Sequence, residues 1–364
     1  MNNDFQTLII GAGPAGGMLA LSLAIRGHKV ALVEQSQFPR NKVCGCCLGP
    51  VGRNILKLYG IQPSGLPINT LKFSYKNKSI NLSNFQSKVI SRSVLDSEIL
   101  NSAVAAGVKL YQPVTFDSYS RELDGQCKVN LHNGLQKISI QVKNLVLANG
   151  VRGGSMAGFN YISDKPPNNG FGFTAFAEAK TEEQCLDLYL IKNGYLGIAP
   201  LVGNKLVISG FLRRGNKQDA KTFIHETLVK NLGVENYDWQ GGTGLLRSAP
   251  AVVAQQGAFL LGDAAGYLEP ITGEGISWAL EEALLLSQII TSNTINKEDA
   301  WVKTHAAFKK SRFRPCSFIS RLARSPRLFM FLASLIDKYR PDLISGIHGS
   351  STTKPLLIGS KNAG

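Results

Sequence analysis

Two glycine-rich segments carry the residue types that bind a dinucleotide, and they stand far apart in the chain. The first, residues 11–17, reads Gly-Ala-Gly-Pro-Ala-Gly-Gly. It follows the apolar residues 8–10 and leads into the apolar residues 18–25. This order predicts a strand, a tight turn and a helix whose N-terminus faces the phosphates of the ligand.

The glycines of this segment have separate roles. Gly11 makes the turn, Gly13 lets the backbone approach a pyrophosphate, and Gly16 lets the helix pack on the strand. A second strand, residues 29–33, ends at Glu34, about 20 residues after the first glycine. A carboxylate at this place suits the 2′-hydroxyl of a ribose and would repel a 2′-phosphate.

The second glycine-rich segment predicts another contact with the same ligand. A strand over residues 258–261 leads to Gly262 and Asp263, and a loop over residues 270–275 follows. A helix then runs from Gly275 to about residue 293. Its apolar positions have helical spacing, namely Ile276, Leu280, Ala283 and Leu284.

This arrangement resembles the superfamily of p-hydroxybenzoate hydroxylase and the geranylgeranyl reductases, with which the chain shares motifs from residue 5 to about residue 290. The resemblance implies a noncovalently bound FAD, with Asp263 holding its ribityl and pyrophosphate portion. The helix that begins at Gly275 would then point its N-terminus at N1 and O2 of the flavin and favour the anionic reduced form.

Three of the six cysteines stand together just beyond the ribose-binding strand, at Cys44, Cys46 and Cys47. The segment resembles the Cys-Gly-Gly region of geranylgeranyl reductases, whose cysteine lies near the isoalloxazine ring, although Cys46 replaces the second glycine. The resemblance makes Cys44 a candidate catalytic residue. The alternative is that all three are small buried residues in a close-packed turn. The other cysteines and the histidines lack ligand spacing, so no metal site is predicted.

A further helix is predicted to begin near residue 91. Ser93 and Asp96 loosely match a capping box. The same stretch resembles the superfamily's Arg-x-x-Leu-Asp-x-x-Leu signature, whose arginine lies on the flavin side, so Arg92 is a candidate FAD contact. The alternative is a solvated arginine at the start of a helix.

The strand over residues 145–147 ends in Ala148, Asn149 and Gly150. These residues resemble the superfamily's Ala-Thr-Gly or Asp-Gly turn beside the cofactor. Asn149 replaces the acid of the aromatic hydroxylases.

Alternating apolar patterns at residues 171–176, 186–190 and 206–211 predict antiparallel strands with one buried face, and a helix over 219–232 would cover them. In the superfamily such a sheet lies over the substrate. Residues 195–200 resemble the reductases' Tyr-x-Trp-x-Phe-Pro motif, with glycine and alanine in place of its tryptophan and phenylalanine. The resemblance makes Tyr195 the second candidate catalytic residue and predicts an enlarged or reshaped cavity.

The predicted fold class is α/β, or α+β overall, with a Rossmann-like FAD-binding domain of glutathione reductase type, an inserted antiparallel β-sheet substrate domain and C-terminal helices. The predicted domains are a discontinuous FAD-binding domain over residues 1–65, 89–150 and 247–295, a substrate domain over 66–88 and 151–246, a basic helical region over 296–345 and a flexible tail over 346–364.

The predicted FAD-binding residues are Gly11, Gly13, Pro14, Ala15, Gly16, Glu34, Gln35, Arg40, Cys44, Gly45, Arg92, Ala148, Asn149, Gly150, Gly262, Asp263, Pro270, Gly273, Glu274, Gly275 and Ile276. No second glycine-rich segment of this type occurs in the sequence. We therefore expect NAD(P)H to bind transiently at the FAD face as electron donor, or another protein to reduce the flavin.

The chain has a formal net charge of +15, and most of this excess follows residue 300. This basic, aromatic-rich region is predicted to lie on an anionic membrane or to dock an acyl carrier protein. The alternative is that its helices cap the FAD domain and expose a solvated basic face. No recognition motif predicts nucleic-acid binding. The predicted docking face consists of Lys309, Lys310, Arg312, Arg314, Arg321, Arg324 and Arg327.

These features indicate an FAD-dependent oxidoreductase. The favoured chemistry is an NAD(P)H-driven flavoprotein monooxygenase acting on a lipophilic, aromatic or carrier-bound substrate. The alternatives are a flavin-dependent C=C reductase of geranylgeranyl reductase type, with Cys44 as proton donor, and a non-catalytic flavin-holding redox or carrier-binding partner. Residues 8–25 are uncharged, but their glycine-rich core argues against a membrane span. The expected location is cytoplasmic, with peripheral contact to a membrane.

Overall fold

The computed structural model describes residues 5–83, 85–151, 158–159, 161–163, 170–179, 184–192, 194–213, 219–245, 248–267 and 270–339. The predicted flexible tail therefore lies outside the described residues. None of the helices over the described ranges combines the length and the apolar composition that crossing a bilayer requires.

The elements follow one another in chain order. The helices are α1 (Pro14–Ile25), α2 (Pro50–Leu58), α3 (Arg92–Ala105), α4 (Ala220–Leu232), α5 (Gly275–Thr291), α6 (Lys297–Leu322) and α7 (Pro326–Tyr339). The strands are β1 (Thr7–Ile10), β2 (Val30–Val33), β3 (Cys47–Leu48), β4 (Leu66–Ile68), β5 (Thr70–Tyr75), β6 (Lys78–Leu82), β7 (Ser87–Val89), β8 (Lys109–Tyr111), β9 (Thr115–Arg121), β10 (Cys127–His132), β11 (Lys137–Val142), β12 (Asn144–Leu147), β13 (Tyr161–Ser163), β14 (Gly170–Glu178), β15 (Cys185–Ile191), β16 (Gly194–Leu201), β17 (Lys205–Arg213), β18 (Asp238–Leu245), β19 (Ser248–Pro250), β20 (Ala254–Gln255) and β21 (Ala258–Leu260).

A six-stranded sheet in the order β20-β21-β12-β1-β2-β8 forms the nucleotide-binding half of the molecule. Its strands are parallel except for the β20–β21 pair. All four residues of β1 and of β2 are buried, as expected for parallel strands that are covered on both faces. Helix α1 packs against α3 and α5 over this sheet. The predicted Rossmann-like domain is confirmed.

A seven-stranded sheet in the order β18-β14-β17-β16-β15-β5-β6 forms the other half. Its neighbours are antiparallel except for the β15–β5 pair. On one face, α4 contributes Phe223 and Leu228 to a core shared with Phe173 and Leu196. This confirms the predicted covering helix, which Asp219 caps by accepting hydrogen bonds from two backbone N–H groups.

The opposite face of this sheet meets the cysteine segment and α7. Cys46, Cys47 and Tyr195 belong to one buried apolar cluster with residues of α7. A three-stranded sheet in the order β3-β7-β4 joins the cysteine segment to residues 66–89, since Cys47 in β3 pairs with Val89 in β7. The cysteine segment therefore lies between the two large sheets.

Candidate active site

The first glycine-rich turn leaves backbone open to a ligand. Gly11 has φ of +101°, and a Cβ there would lie 2.6 Å from the carbonyl oxygen of Ala148. A Cβ at Gly16 would collide with the Gly11 carbonyl. At Gly13, by contrast, a Cβ would meet only Nη2 of Arg92, at 3.9 Å. Helix α1 begins at the next residue, Pro14, so its N-terminal N–H groups and the Gly13 backbone face this open space as a phosphate site requires.

Glu34 is buried at the end of β2 and is held against this turn. Its Oε2 atom accepts a hydrogen bond from the backbone N–H of Ala12 at 3.0 Å, and its Oε1 atom accepts one from Ser36 at 2.9 Å. Nη2 of Arg40 lies 3.2 Å from Oε2. The predicted ribose ligand Glu34 is thus fixed in place, and the neighbouring Gln35 is exposed.

Arg92 lies at the start of α3, where it is buried and not solvated. It donates two hydrogen bonds to Asp96, at 2.8 and 2.7 Å, and Nη1 of Arg40 lies 3.6 Å from the same carboxylate. Burial alone would lower the pKa of Arg92, but the charges of Asp96 and Cys44 raise it above its ordinary value.

The predicted capping box at this helix is wrong. Ser91 is the N-cap, and its hydroxyl accepts a hydrogen bond from the backbone N–H of Val94 at 3.3 Å. The carboxylate of Asp96 does not bind a backbone N–H at the helix start, as a capping box requires, because it binds the side chains of Arg92 and Arg40. The charge-assisted pair is the stronger interaction.

Cys44 is held on three sides. Its backbone N–H donates to Oγ1 of Thr174 in β14 at 2.9 Å, and the backbone N–H of Cys46 donates to its Sγ atom at 3.3 Å. The Cys46 thiol hydrogen bond and the Arg92 guanidinium lower the pKa of the Cys44 thiol, although burial opposes this. The same hydrogen bond raises the pKa of Cys46, while burial raises that of Cys47 to about 12. Cys44 is therefore the most readily ionised thiol of the three.

Cys46 stands at the position where the reductase pattern has its second glycine. Its φ of 57° places it in the left-handed region that favours glycine. A cysteine in this conformation costs about 1 kcal/mol or more, yet it brings a buried thiol donor to Cys44.

We expect Cys46→Gly to raise the pKa of the Cys44 thiol. Glycine adopts the same backbone conformation, so the substitution removes the thiol donor without straining the turn. At pH 5, below the pKa of about 6 of the Cys44 thiol, the alkylation rate should fall about tenfold, the effect of about 1.4 kcal/mol on the ionisation equilibrium, whereas near neutral pH the fall should be smaller. Mass spectrometry of iodoacetamide-treated protein across a pH series measures this, with Cys185→Ser as the matched control. An unchanged alkylation profile would show that Cys46 does not tune Cys44.

Lys42 lies near enough to Asp263 for its charge to act on the carboxyl. Both side chains are open to solvent at the cleft surface, but the surrounding protein restricts their hydration. Desolvation raises the pKa of Asp263 to about 6, while the charges of Lys42 and Arg92 oppose this rise. Burial lowers the pKa of Lys42 most, and the positive charges of Arg40 and Arg92 lower it further.

The sequence motifs do not single out Lys42, although it stands between Arg40 and Cys44. Its Nζ atom would lie 3.8 Å from a Cβ at Gly150, so it also reaches the turn after β12. In that turn, Oδ1 of Asn149 is buried and has no hydrogen-bond partner among the described residues. An unsatisfied buried acceptor beside an open glycine turn fits a site built for a ligand that donates a hydrogen bond.

A buried polar network fixes the turn Gly262–Ala265 that carries Asp263. Glu282 in α5 accepts a hydrogen bond from the backbone N–H of Gly262 at 3.0 Å, and Nδ1 of His305 in α6 lies 3.0 Å from the same carboxylate. Lys309 donates to the carbonyl of Ala265 at 2.6 Å. The assignment of Lys309 to an outward docking face is therefore wrong. His305 and Lys309 are positioning residues for Asp263.

The N-terminus of α5 forms another open edge of the cleft. A Cβ at Gly275, the first residue of α5, would meet no atom within 4 Å, and Gly273 has φ of +69° beside Cys47. Glu274 and Ile276 are buried, and the turn Pro270–Thr272 precedes them. Partial positive charge at this N-terminus faces the cleft.

Close approaches join the segments that carry the predicted cofactor contacts. The turn after β1 meets Ala148, Arg92 and Gly262, and Gly273 meets Cys47 of the cysteine segment. Binding of FAD by the individual residues stays a prediction. Open glycines, the orphaned Asn149 acceptor and the helix N-termini fit an FAD. Tyr195 lies in β16, buried in the apolar cluster on the neighbouring sheet face. Its predicted catalytic role stays a prediction.

Comparison with protein families matches residues 4–307 to the family described as FAD binding domain. Among curated relatives, conditioned medium factor receptor 1 of Dictyostelium discoideum is 24% identical, over 92% of this chain and 74% of the relative. Menaquinone reductase of Mycolicibacterium smegmatis is 24% identical, over 83% and 80%. Digeranylgeranylglycerophospholipid reductase 2 of Methanococcoides burtonii is 25% identical, over 84% and 79%.

Two solved structures have the same fold at low sequence identity. The flavin-dependent brominase Bmp2 superposes with a TM-score of 0.76 at 16% identity, covering 95% of this chain and 94% of the brominase. A geranylgeranyl bacteriochlorophyll reductase-like protein from Thermoplasma acidophilum gives 0.70 at 17% identity, covering 94% and 90%. These likenesses confirm the predicted fold class.

Proposed function

This chain belongs to the FAD binding domain family, and two of the relatives reported above are named as reductases; we propose that it reduces a carbon–carbon double bond in a prenyl-type lipid. The observation that carries the proposal is the ionisable thiol of Cys44, held between Arg92, Cys46 and Thr174 beside the cleft. A reductase needs such a proton-carrying group, because a hydride alone does not complete the reduction of an alkene.

Residues around the cleft would hold FAD, which would supply the hydride once NAD(P)H has reduced it. The Gly13 backbone and the N-terminus of α1 would bind the pyrophosphate, and Glu34 would accept from the ribose. Asp263 would accept from a ribityl hydroxyl, and the N-terminus of α5 would face the pyrimidine end of the flavin.

Cys44 would supply the proton that accompanies the hydride. Its lowered pKa places the thiol close to the range where a general acid works best at neutral pH. As the proton leaves Sγ for the substrate carbon, Arg92 stabilises the thiolate that remains. One hydride and one proton together convert the alkene to an alkane, and solvent returns the proton to Cys44.

The substrate class is proposed from the relatives and from the sheet that faces the cysteine segment. The names of two relatives state that they reduce menaquinone and digeranylgeranylglycerophospholipid, which are both prenyl lipids. On β16, Gly197 and Ala199 replace the two large residues of the reductase motif, and they alternate with Leu196 and Ile198, which pack towards α4. Small residues on the face turned to Cys44 favour a bulky apolar substrate.

The second candidate function is an NAD(P)H-driven monooxygenase acting on a lipophilic substrate. Gly197 and Ala199 favour this second function, because the reductase motif has tryptophan and phenylalanine at these two positions and the chain therefore lacks part of that motif. In either chemistry we propose NAD(P)H as a transient electron donor.

The two candidate functions differ in the atoms added to the substrate: a reductase adds two hydrogens, and a monooxygenase adds one oxygen atom from O2. FAD-loaded protein, reduced with dithionite under anaerobic conditions and mixed with a polyprenyl quinone, should yield a product that carries two additional hydrogens in its side chain. Mass spectrometry in deuterated buffer should show two solvent-derived deuterons on the carbons of the former double bond, because the N–H groups of dithionite-reduced flavin and the thiol of Cys44 both exchange with the buffer. Product that forms only with O2 and contains an oxygen atom from labelled O2 would instead assign the monooxygenase. Absence of any product under both conditions would favour a non-catalytic flavoprotein.

A further inference from the structure

The outward face of α7 is apolar, although its inward face already packs on the seven-stranded sheet. Inward, Phe329, Met330 and Ala333 are buried, and the ring of Phe329 lies 4.8 Å from that of Phe73. Surface helices of globular proteins usually have one apolar face. The exposed fractions on the outward side are 50% for Leu328, 59% for Phe331, 37% for Leu335 and 63% for Tyr339.

These four residues form one continuous apolar stripe. At about 3.6 residues per turn, they fall within an arc of about 80° around the helix axis. Arg327 and Lys338 are exposed along one edge of the stripe. The stripe therefore combines large apolar side chains with positive charge, as an interfacial helix does.

Helix α6 contributes a basic stripe just before α7 in the chain. Lys310, Arg314 and Arg321 are exposed on one side of α6, and Phe318 stands among them with 64% of its surface exposed. Lys309 and Arg312 point inward, since they bind the Ala265 carbonyl and the Glu281 carboxylate. Their inclusion in the predicted docking face is wrong, and the exposed part of that face is smaller than predicted.

We propose that the apolar stripe of α7 and the basic stripe of α6 bind the surface of an anionic lipid bilayer. Phe331 and its neighbours would enter the boundary between headgroups and acyl chains, while the arginines attract anionic headgroups. An acidic carrier protein would match the charges but would leave the four apolar side chains in water. None of the exposed residues of the two stripes is a predicted FAD contact or a proposed catalytic residue, so this inference does not depend on the proposed reaction.

The test is co-sedimentation of the FAD-loaded full chain with vesicles of phosphatidylcholine, with and without phosphatidylglycerol. Binding should require the anionic lipid and should weaken with salt, because exposed charges are screened over about 8–10 Å at physiological ionic strength. A salt-resistant fraction should remain. Phe331→Ser with Leu335→Ser should lower the vesicle partition coefficient about tenfold and remove that fraction, and Arg314→Glu with Arg321→Glu should lower binding at least as much.

Matched controls lie in strands β10 and β11 and in the two turns that join β9, β10 and β11, more than 150 residues before α6 in the chain. Leu123→Ser with Leu135→Ser alters two fully exposed leucines, and Lys128→Glu with Lys137→Glu reverses two exposed charges. Both should leave vesicle binding unchanged. Equal binding by the α7 variant, or no vesicle binding by the wild type, would overturn the proposal. So would a salt-sensitive complex with an acidic carrier protein that the α7 variant retains, or self-association that the α7 variant loses. Turnover of a detergent-solubilised quinone should be unaffected by the α7 variant, which keeps this test separate from that of the reaction.

Discussion

Asp263→Asn should weaken FAD binding by about 10- to 100-fold. We expect the carboxylate of Asp263 to accept a charge-assisted hydrogen bond from the cofactor, and one such bond contributes about 1.5–3 kcal/mol. Asparagine keeps the size of the side chain and the turn Gly262–Ala265, so the change isolates the charge. Fluorescence titration of FAD-free protein with FAD measures the dissociation constants of the wild type and the variant.

The same substitution should stabilise the FAD-free protein. Desolvation raises the pKa of Asp263 to about 6 from an ordinary value of 3.8, so the charged carboxylate destabilises the folded chain at neutral pH. That difference corresponds to about 3 kcal/mol, of which we expect about 1 kcal/mol to remain because the side chain is open to water.

This stability gain has a defined pH window. Above pH 6, wild-type Asp263 is ionised in both the folded and the unfolded chain, and the gain from asparagine is complete. Below about pH 4 the carboxyl is protonated in both states, and the gain disappears. Thermal melts of the two FAD-free proteins across this range test the sign. Asp337→Asn at the exposed end of α7 is the control, and it should change neither FAD affinity nor stability. A variant that binds FAD as the wild type does would remove Asp263 from the cofactor site.

Local patterns in the sequence predicted the elements that position the site. The turn at Gly11 and the strands β1 and β2 follow from apolar runs beside glycines, and α4 begins where the side chain of Asp219 caps it. These features depend on residues within a few positions of one another, so periodicity and turn chemistry determine them. The strands of the second sheet were predictable for the same reason, because alternation with period two marks a half-buried strand.

Contacts between distant residues could not be predicted in this way. The charge of Lys42 acts on Asp263 although more than 200 residues separate them in the chain. His305 reaches Glu282 and the Ala265 carbonyl only because α5 and α6 pack together. A lone histidine in a basic helix shows no pattern that distinguishes a positioning residue from a surface residue. The capping error at α3 has the same origin, since the buried guanidinium of Arg92 competes for Asp96 more strongly than the helix start does.

Asp263 and its supports also illustrate why a cofactor site is poorly optimised for stability. Three features each cost free energy when no ligand is bound. They are the carboxylate of Asp263 in a poorly hydrated cleft, the Asn149 Oδ1 acceptor that no described residue satisfies, and the left-handed backbone of Cys46. Glu282, His305 and Lys309 hold the turn Gly262–Ala265 in place despite the cost at Asp263. Sequence patterns that favour a stable fold therefore give little information about such residues.

Cys44→Ser should slow reduction of the substrate double bond by about 10²- to 10⁴-fold, the range that a positioned general acid contributes. Serine keeps the shape of the side chain and the backbone hydrogen bond to Thr174, but its hydroxyl does not ionise near neutral pH. FAD content and the rate of FAD reduction by dithionite should stay as in the wild type, because neither step uses the proton on Sγ. Single-turnover mixing of reduced protein with a polyprenyl quinone separates these steps.

The pH profile distinguishes proton donation by Cys44 from a structural role. In the wild type, the substrate-reduction rate should fall as pH rises through the pKa of Cys44, because only the protonated thiol donates. This limb should be absent in Cys44→Ser and should move to higher pH in Cys46→Gly, whose Cys44 thiol holds its proton more tightly. Cys185→Ser, which alters a thiol in β15 away from Arg92, should retain the wild-type profile. A Cys44→Ser protein with the wild-type rate and pH dependence would assign the proton to another group and would leave Cys44 a structural residue beside Arg92.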